Sequence, residues 1–294
     1  MIEITKITEI GDKRHIALLD TSSVSFMQGL SIKGLQPEVI LNDYDLILIP
    51  EWVLTEINDA PGRADYVQKL IDQEYPIFCI EEGAYTDLTY NEEGNLYQIV
   101  RASTNQLGRI KSYLRQYIEK ADPLDMDAYK DWIKKLYDEW PIPGEKLSNG
   151  RIRKKNAGEV SITILAEIVS WYYPETKALT IYSQDGDTYE FQRKAEADLR
   201  DVFATRTPVP VSYKSNDAIL CQLVCRFLHV PQKCASRRWS ASRSRLIMKS
   251  SRRQLPSKSS AGPMLRPPTA TRRGTTRSGR LHGGGICQKR MSPR

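Results

Sequence analysis

The chain has 294 residues, of which 40% are hydrophobic, so it can bury one large core or two small ones. The formal net charge of +7 averages two unlike segments, because all 36 Asp and Glu lie in residues 1–221 and 18 of the 43 Lys and Arg lie in residues 222–294. No apolar run approaches the roughly 18 residues of a membrane span, and the N-terminus lacks the apolar core of a signal peptide. Composition therefore excludes a membrane protein and predicts a cytoplasmic one.

The first predicted element is a buried strand over 16–19, four apolar residues bounded by charge. Asp20 is the first residue past its carboxyl end, which is where open α/β sheets gather their ligands. Asp also favours the position that caps a helix, and a helix is predicted over 23–30. Taken alone, Asp20 is therefore either a site residue or a cap.

A second buried strand is predicted over 45–50, and Pro50 then opens a helix. Glu56 lies beside the apolar face of this helix, although a solvated position is the ordinary alternative for an acid.

A third strand is predicted over 76–80 and a hairpin over 85–100. Two helices follow, over 103–120 and 126–140. The second carries an aromatic stripe that is typical of a core, with base stacking as the alternative: Tyr129, Trp132, Tyr137 and Trp140.

The basic run 151–155 is either a solvated loop or a phosphate contact. It precedes a helix predicted over 157–173, where Asn156 and Glu159 have the spacing of a capping box. The next strand, 178–182, delivers Asp185 and Asp187 at its carboxyl end. A tight Asp-Gly-Asp turn is the structural alternative for that pair.

The sequence loses its pattern near its end. Helices are predicted over 189–203 and 215–227, with a short strand from 209 between them. Past about 225 no periodicity remains, so we interpret 222–294 as a basic and disordered tail. It is a nucleic-acid-binding arm, a solvated tail without such a role, or out-of-frame sequence. Five cysteines without a framework pattern suggest a reducing compartment, and Cys221, Cys225 and His229 fit no standard zinc finger.

The carboxylates together predict a metal site. In a parallel sheet with helical crossovers, strand ends and helix starts converge on one edge. Crowded carboxylates stay ionised only around a cation, and oxygen ligands suit Mg²⁺ or Mn²⁺. Two such ions activate a water and stabilise the leaving oxygen of a phosphodiester. The candidate ligands are Asp20, Glu56, Glu159, Asp185 and Asp187.

Four short segments contain these acids: Ala17-Leu-Leu-Asp-Thr-Ser, Ile49-Pro-Glu-Trp-Val-Leu-Thr-Glu-Ile, Gly158-Glu-Val-Ser-Ile and Ile181-Tyr-Ser-Gln-Asp-Gly-Asp. In these segments the chain resembles PIN-domain nucleases, and its Gly-Glu and Asp-x-Asp are also similar to the flap-endonuclease group. The resemblance implies a three-layer α/β/α sandwich with a mostly parallel sheet, and a metal-dependent endoribonuclease. It makes Asp20, Glu56, Glu159 and Asp185 the catalytic acids and metal ligands, with Asp187 as a less certain fifth. RNA or another single-stranded nucleic acid is the expected partner, together with an antitoxin or other protein when the nuclease is a toxin. A homodimer is also compatible with the resemblance.

Two departures from the family set the predicted domains. The stretch between Glu56 and Glu159 is long, so residues 1–221 are predicted to form the nuclease domain with a partly helical insertion at about 61–150. The tail matches nothing in the family.

Two alternatives to the nuclease stay open: an inactive PIN-like module that binds RNA or protein, and an aspartyl-phosphate phosphatase built on Asp185 and Asp187. The inactive module would be favoured if Asp20 and Asp185 were more than about 8 Å apart.

Overall fold

A sheet of five parallel strands forms the centre of the computed structural model, which describes residues 2–118, 132–146 and 152–227. The strands of the described residues are β1 (His15–Leu19), β2 (Leu46–Pro50), β3 (Ile77–Ile80), β4 (Glu145–Lys146), β5 (Ile152–Arg153), β6 (Ala178–Tyr182) and β7 (Val211–Lys214). The strand order of the central sheet is β3-β2-β1-β6-β7, and every neighbouring pair is parallel. The first strand therefore lies in the middle.

The central strands are apolar almost throughout, because helices cover both faces of a parallel sheet. Every residue of β2 is buried, as are the last four residues of β1 and of β6. The edge strand β7 is only partly buried. The predicted three-layer α/β/α sandwich is confirmed. The short strands β4 and β5 form a separate antiparallel pair that the sequence did not indicate.

The helices begin close to their predicted positions where a strand precedes them. They are α1 (Thr21–Ile32), α2 (Glu51–Asn58), α3 (Pro61–Asp72), α4 (Tyr85–Leu88), α5 (Glu93–Ser103), α6 (Gly108–Tyr113), α7 (Trp132–Asp138), α8 (Ala157–Tyr172), α9 (Gly186–Val202) and α10 (Asn216–Phe227). Helix α8 packs against α9, α5, α2 and β6. All of its residues are buried except Glu159, so α8 is a central helix that is covered on all sides.

The hairpin predicted over 85–100 is wrong. Helices α4 and α5 occupy this stretch, and Asn91 takes a left-handed conformation between them. Leu96, Ile99 and Val100 are buried on one face of α5, so the apolar period is helical rather than alternating. The predicted insertion at 61–150 includes α3 and β3, and β3 is hydrogen-bonded into the central sheet.

The aromatic stripe is core where it is described. Trp132, Tyr137 and Trp140 are buried, and the rings of Tyr137 and Trp140 stack with centroids 5.2 Å apart. Tyr129 lies outside the described residues, as do His229 and the tail from 228 onward. Helix α10 includes residues 222–227, and its Cys221 and Cys225 are free thiols. Within the described residues, no helix has both the length and the apolar character needed to cross a membrane.

Candidate metal centre

Four of the predicted acids come from elements that end or begin at the carboxyl edge of the sheet. Asp20 directly follows β1, and Glu56 lies on α2, which directly follows β2. Asp185 is the residue directly before α9, and it lies just past β6, which pairs with β1 in the sheet. Glu159 lies in the first turn of α8. Because parallel strands share one carboxyl edge, this topology directs the four carboxylates to one region.

Asp20 is held by short hydrogen bonds on both carboxylate oxygens. Its Oδ1 accepts from the backbone N–H of Thr21 at 2.7 Å, so Asp20 does cap α1. Its Oδ2 accepts from the hydroxyls of Ser22 at 2.5 Å and Ser183 at 2.8 Å. The side chain is only 7% exposed. The capping and site interpretations of Asp20 are therefore compatible, because the cap fixes the carboxylate at the sheet edge.

Glu56 is connected to Asp20 through one residue, Thr21. The Thr21 hydroxyl donates to Glu56 Oε2 at 3.0 Å, while Arg153 Nε lies 3.5 Å from Glu56 Oε1. Burial raises the pKa of Glu56, and Arg153 partly offsets this rise. A β-carbon at Gly158 would lie 3.4 Å from Glu56 Oε1, so the start of α8 approaches this carboxylate closely. The solvated alternative for Glu56 is wrong.

Glu159 is the acid with the least support from hydrogen bonds. The predicted capping box is absent, because Asn156 adopts a left-handed conformation (φ 63°) and its side chain makes no capping bond. Among the described residues, the buried Oε2 atom of Glu159 has no hydrogen-bond partner. Burial raises the pKa of Glu159 to about 7, and repulsion from Glu56, Asp20 and Asp185 adds to the rise. The other three carboxylates therefore lie within electrostatic range of Glu159.

Asp185 is linked to Asp20 by a single hydroxyl. Ser183 Oγ donates to Asp20 Oδ2 at 2.8 Å and accepts from the Asp185 backbone N–H at 3.0 Å. Asp185 Oδ1 accepts from the backbone N–H of Asp187 at 3.0 Å, so Asp185 caps α9. The Asp187 side chain is exposed in the first turn of α9. Asp187 is the outermost of the five candidates.

Two features of this region were missed from the sequence. The Ser22 and Ser183 hydroxyls tie Asp20 to the β6–α9 connection, and nothing in a lone Ser identifies that role. Glu82 also follows a strand, β3, as Asp20 follows β1, so its position was a usable signal. Its Oε1 accepts from the Ser161 hydroxyl at 2.6 Å and the Trp52 backbone N–H at 3.2 Å, and burial raises its pKa to about 7.

The donor set of the four acids fits a hard divalent cation. Carboxylate oxygens are the preferred ligands of Mg²⁺ and Mn²⁺. A bound cation would reduce the repulsion among the carboxylates and would give the unpartnered Oε2 of Glu159 a partner. In the described part of the chain, no three Asp, Glu, His or Cys side chains are already grouped to hold a metal ion. Asp20 instead accepts from hydroxyls and Glu56 pairs with Arg153. Some reorientation of these side chains would accompany metal binding.

Comparison with known proteins adds no assignment. No protein-family model matches the chain, and neither a curated protein nor a solved structure matches it significantly.

Proposed function

We propose that the chain is a metal-dependent endoribonuclease that hydrolyses phosphodiester bonds of RNA, using Mg²⁺ or Mn²⁺ held by Asp20, Glu56, Glu159 and Asp185. The observation that carries this proposal is the unpartnered, buried Oε2 of Glu159, a carboxyl whose pKa is raised by burial and, to a lesser extent, by three neighbouring carboxylates. An acid in this setting is costly to the fold unless a cation neutralises it. Such costs are typical of functional sites.

Each acid has a separate part in this proposal. Bound divalent cations supply an activated water and stabilise charge on the leaving oxygen. Asp20 is the fixed member, because three hydrogen bonds, one of which is the cap of α1, set its orientation. Thr21 orients Glu56, and Ser183 couples the position of Asp185 to that of Asp20. Glu159 holds a proton at its carboxyl for part of the time near neutral pH, and a neighbouring cation favours its ionised form.

Geometry favours this proposal over the inactive binding module. That alternative is favoured if Asp20 and Asp185 lie more than about 8 Å apart, too far to share a pair of ions. One oxygen, Ser183 Oγ, is instead within 3.0 Å of both Asp20 Oδ2 and the Asp185 backbone nitrogen. Asp187 is a less central ligand in this account, because its side chain is exposed.

Cleavage of a mixed single-stranded RNA pool by the full chain, with Mn²⁺ or Mg²⁺, tests the proposal. We expect Asp20→Asn to lower the cleavage rate at least about 100-fold, because the substitution removes the best-oriented anionic ligand. Asp12→Asn is the matched control, since Asp12 is an exposed acid in the loop before β1. No metal-dependent cleavage by the folded, unsubstituted chain would overturn the enzyme proposal and leave a binding module.

A further inference from the structure

Arg153 forms an ion pair with the carboxylate of Glu56, whereas the guanidinium of Arg63 donates to the Glu56 backbone carbonyl. The Arg153 Nε lies 3.5 Å from Glu56 Oε1. The side chain of Glu56 is 12% exposed, whereas that of Arg153 is 44% exposed. The guanidinium group therefore covers a buried carboxylate and still presents much of its donor surface to solvent.

The backbone that carries Arg153 is anchored on both sides. Strand β5 pairs with β4, with Arg153 opposite Glu145. Next along the chain, the Lys154 Nζ lies 4.2 Å from the centroid of the Trp52 ring and donates to the Tyr137 carbonyl. The Lys155 carbonyl accepts from Trp140 Nε1 at 2.9 Å. These contacts fix the base of the Arg153 side chain beside α2, so its position over the site is a feature of the fold.

The chemistry of this pair points to a phosphate as the alternative partner. A guanidinium group offers a planar set of N–H donors that matches a phosphate in a two-point contact, which an ammonium group cannot reproduce. If Glu56 bound a cation, its attraction to Arg153 would weaken, because the cation would neutralise the negative charge of the carboxylate. The guanidinium would be left facing the site with its N–H donors free.

We propose that Arg153 is the phosphate-binding residue of this site and exchanges Glu56 for a phosphate of single-stranded RNA when the cations bind. This inference rests on the proposed nuclease function. It assigns Arg153 two opposite effects: the residue competes with the cation for Glu56 before RNA binds, and it holds the RNA afterwards. A purely structural ion pair would also compete with the cation for Glu56, but it would make no RNA contact, so KM is the quantity that separates the two roles.

Three full-length variants test the exchange. Arg153→Gln removes the charge, Arg153→Lys keeps the charge without the two-point geometry, and Lys155→Gln removes an exposed charge two residues away. All three keep the basic tail, so its contribution to RNA affinity is the same in each. The measurements are KM and kcat for a labelled single-stranded RNA, and the dissociation constant for Mn²⁺ without RNA, followed by electron paramagnetic resonance.

For Arg153→Gln we expect KM to rise about tenfold with a smaller change in kcat, while Mn²⁺ binds more tightly than in the unsubstituted chain. Arg153→Lys should raise KM by a similar factor without the gain in Mn²⁺ affinity. Lys155→Gln should change both quantities less than twofold. An unchanged KM in both Arg153 variants, or weaker Mn²⁺ binding in Arg153→Gln, would overturn this inference alone. Failure of the unsubstituted chain to cleave RNA would overturn the proposed function and this inference with it.

Discussion

The two ends of the central sheet both carry several acids, but in opposite physical states. At the carboxyl edge, Asp20 and Glu56 are largely buried, hydrogen-bonded and close to other carboxylates. Near the amino ends of β1 and β6, a cavity of about 370 Å³ is lined by four exposed acids: Glu9, Asp12, Asp87 and Glu175. The acids at this amino-end cavity can each be hydrated separately. The number of acids does not distinguish a candidate site; burial and convergence do.

This contrast has an energetic meaning. An exposed carboxylate keeps most of its hydration, so its ionised form costs the fold little. A buried carboxylate beside others loses hydration and gains repulsion, and both effects disfavour its charge. A buried carboxylate that destabilises the fold in this way is typical of functional sites, where the reaction requires the group. We therefore expect substitutions at the two ends to differ in their effects on activity and stability.

The largest contrast is expected between Glu159→Gln and Glu175→Gln. Glu159→Gln should lower metal-dependent RNA cleavage about 100-fold, because it removes an anionic ligand. It should also raise the free energy of unfolding in EDTA by about 1 kcal/mol at pH 8, because a buried, repelled charge is lost. Glu175→Gln should change the free energy of unfolding by less than about 0.5 kcal/mol. Urea unfolding and the RNA assay measure both quantities; a destabilised, fully active Glu159→Gln would contradict this account.

A further effect, on stability and not on RNA cleavage, is expected at the fully buried acid of α8, Glu167, which has 0% exposure and a pKa raised to about 8 by burial. In the unfolded chain its pKa is near the ordinary value of 4.5, so the folded state binds the proton more tightly. Its contribution to stability is present in full below pH 4.5 and is lost as the pH rises towards 8. The loss amounts to at most about 1.4 kcal/mol per pH unit in that window.

Glu167→Gln should remove that part of the pH dependence. The Trp171 Nε1 donor, 2.9 Å from Glu167 Oε2, can still bond to an amide oxygen. Urea midpoints at pH 5.5 and 8 compare the variant with the unsubstituted chain. We expect the variant to gain more stability relative to the parent at pH 8 than at pH 5.5. Equal pH profiles would show that Glu167 is not protonated in the folded state.

The sheet was predictable because its strands are short apolar runs that end at polar residues. The segment that ends at Asp20 identified the middle strand, and the order of strand and helix signals identified the sandwich. The hairpin error at 85–100 arose because Tyr85, Leu88 and Leu96 fit more than one period in a short window. Their burial against the sheet layers decides the period, and that tertiary information is not local.

The site was predictable at the level of residue types and strand ends. Asp20, Glu56, Glu159 and Asp185 follow from topology, since parallel strands gather their carboxyl ends. The connections among them do not. Whether Asn156 caps α8 depends on its backbone conformation, and whether Arg153 meets Glu56 depends on a short β pair that the local sequence does not specify. The metal, RNA and partner assignments stay predictions.

The most direct test of the central claim is Mn²⁺ binding to the full chain by electron paramagnetic resonance, for the unsubstituted protein, Asp20→Asn and Asp12→Asn. Residues 222–294 contain no acidic residue, so the tail offers no carboxylate ligand. We expect the unsubstituted chain and Asp12→Asn to bind Mn²⁺ equally and Asp20→Asn to lose most of that binding. Equal binding by all three would contradict a metal centre at the carboxyl edge of the sheet.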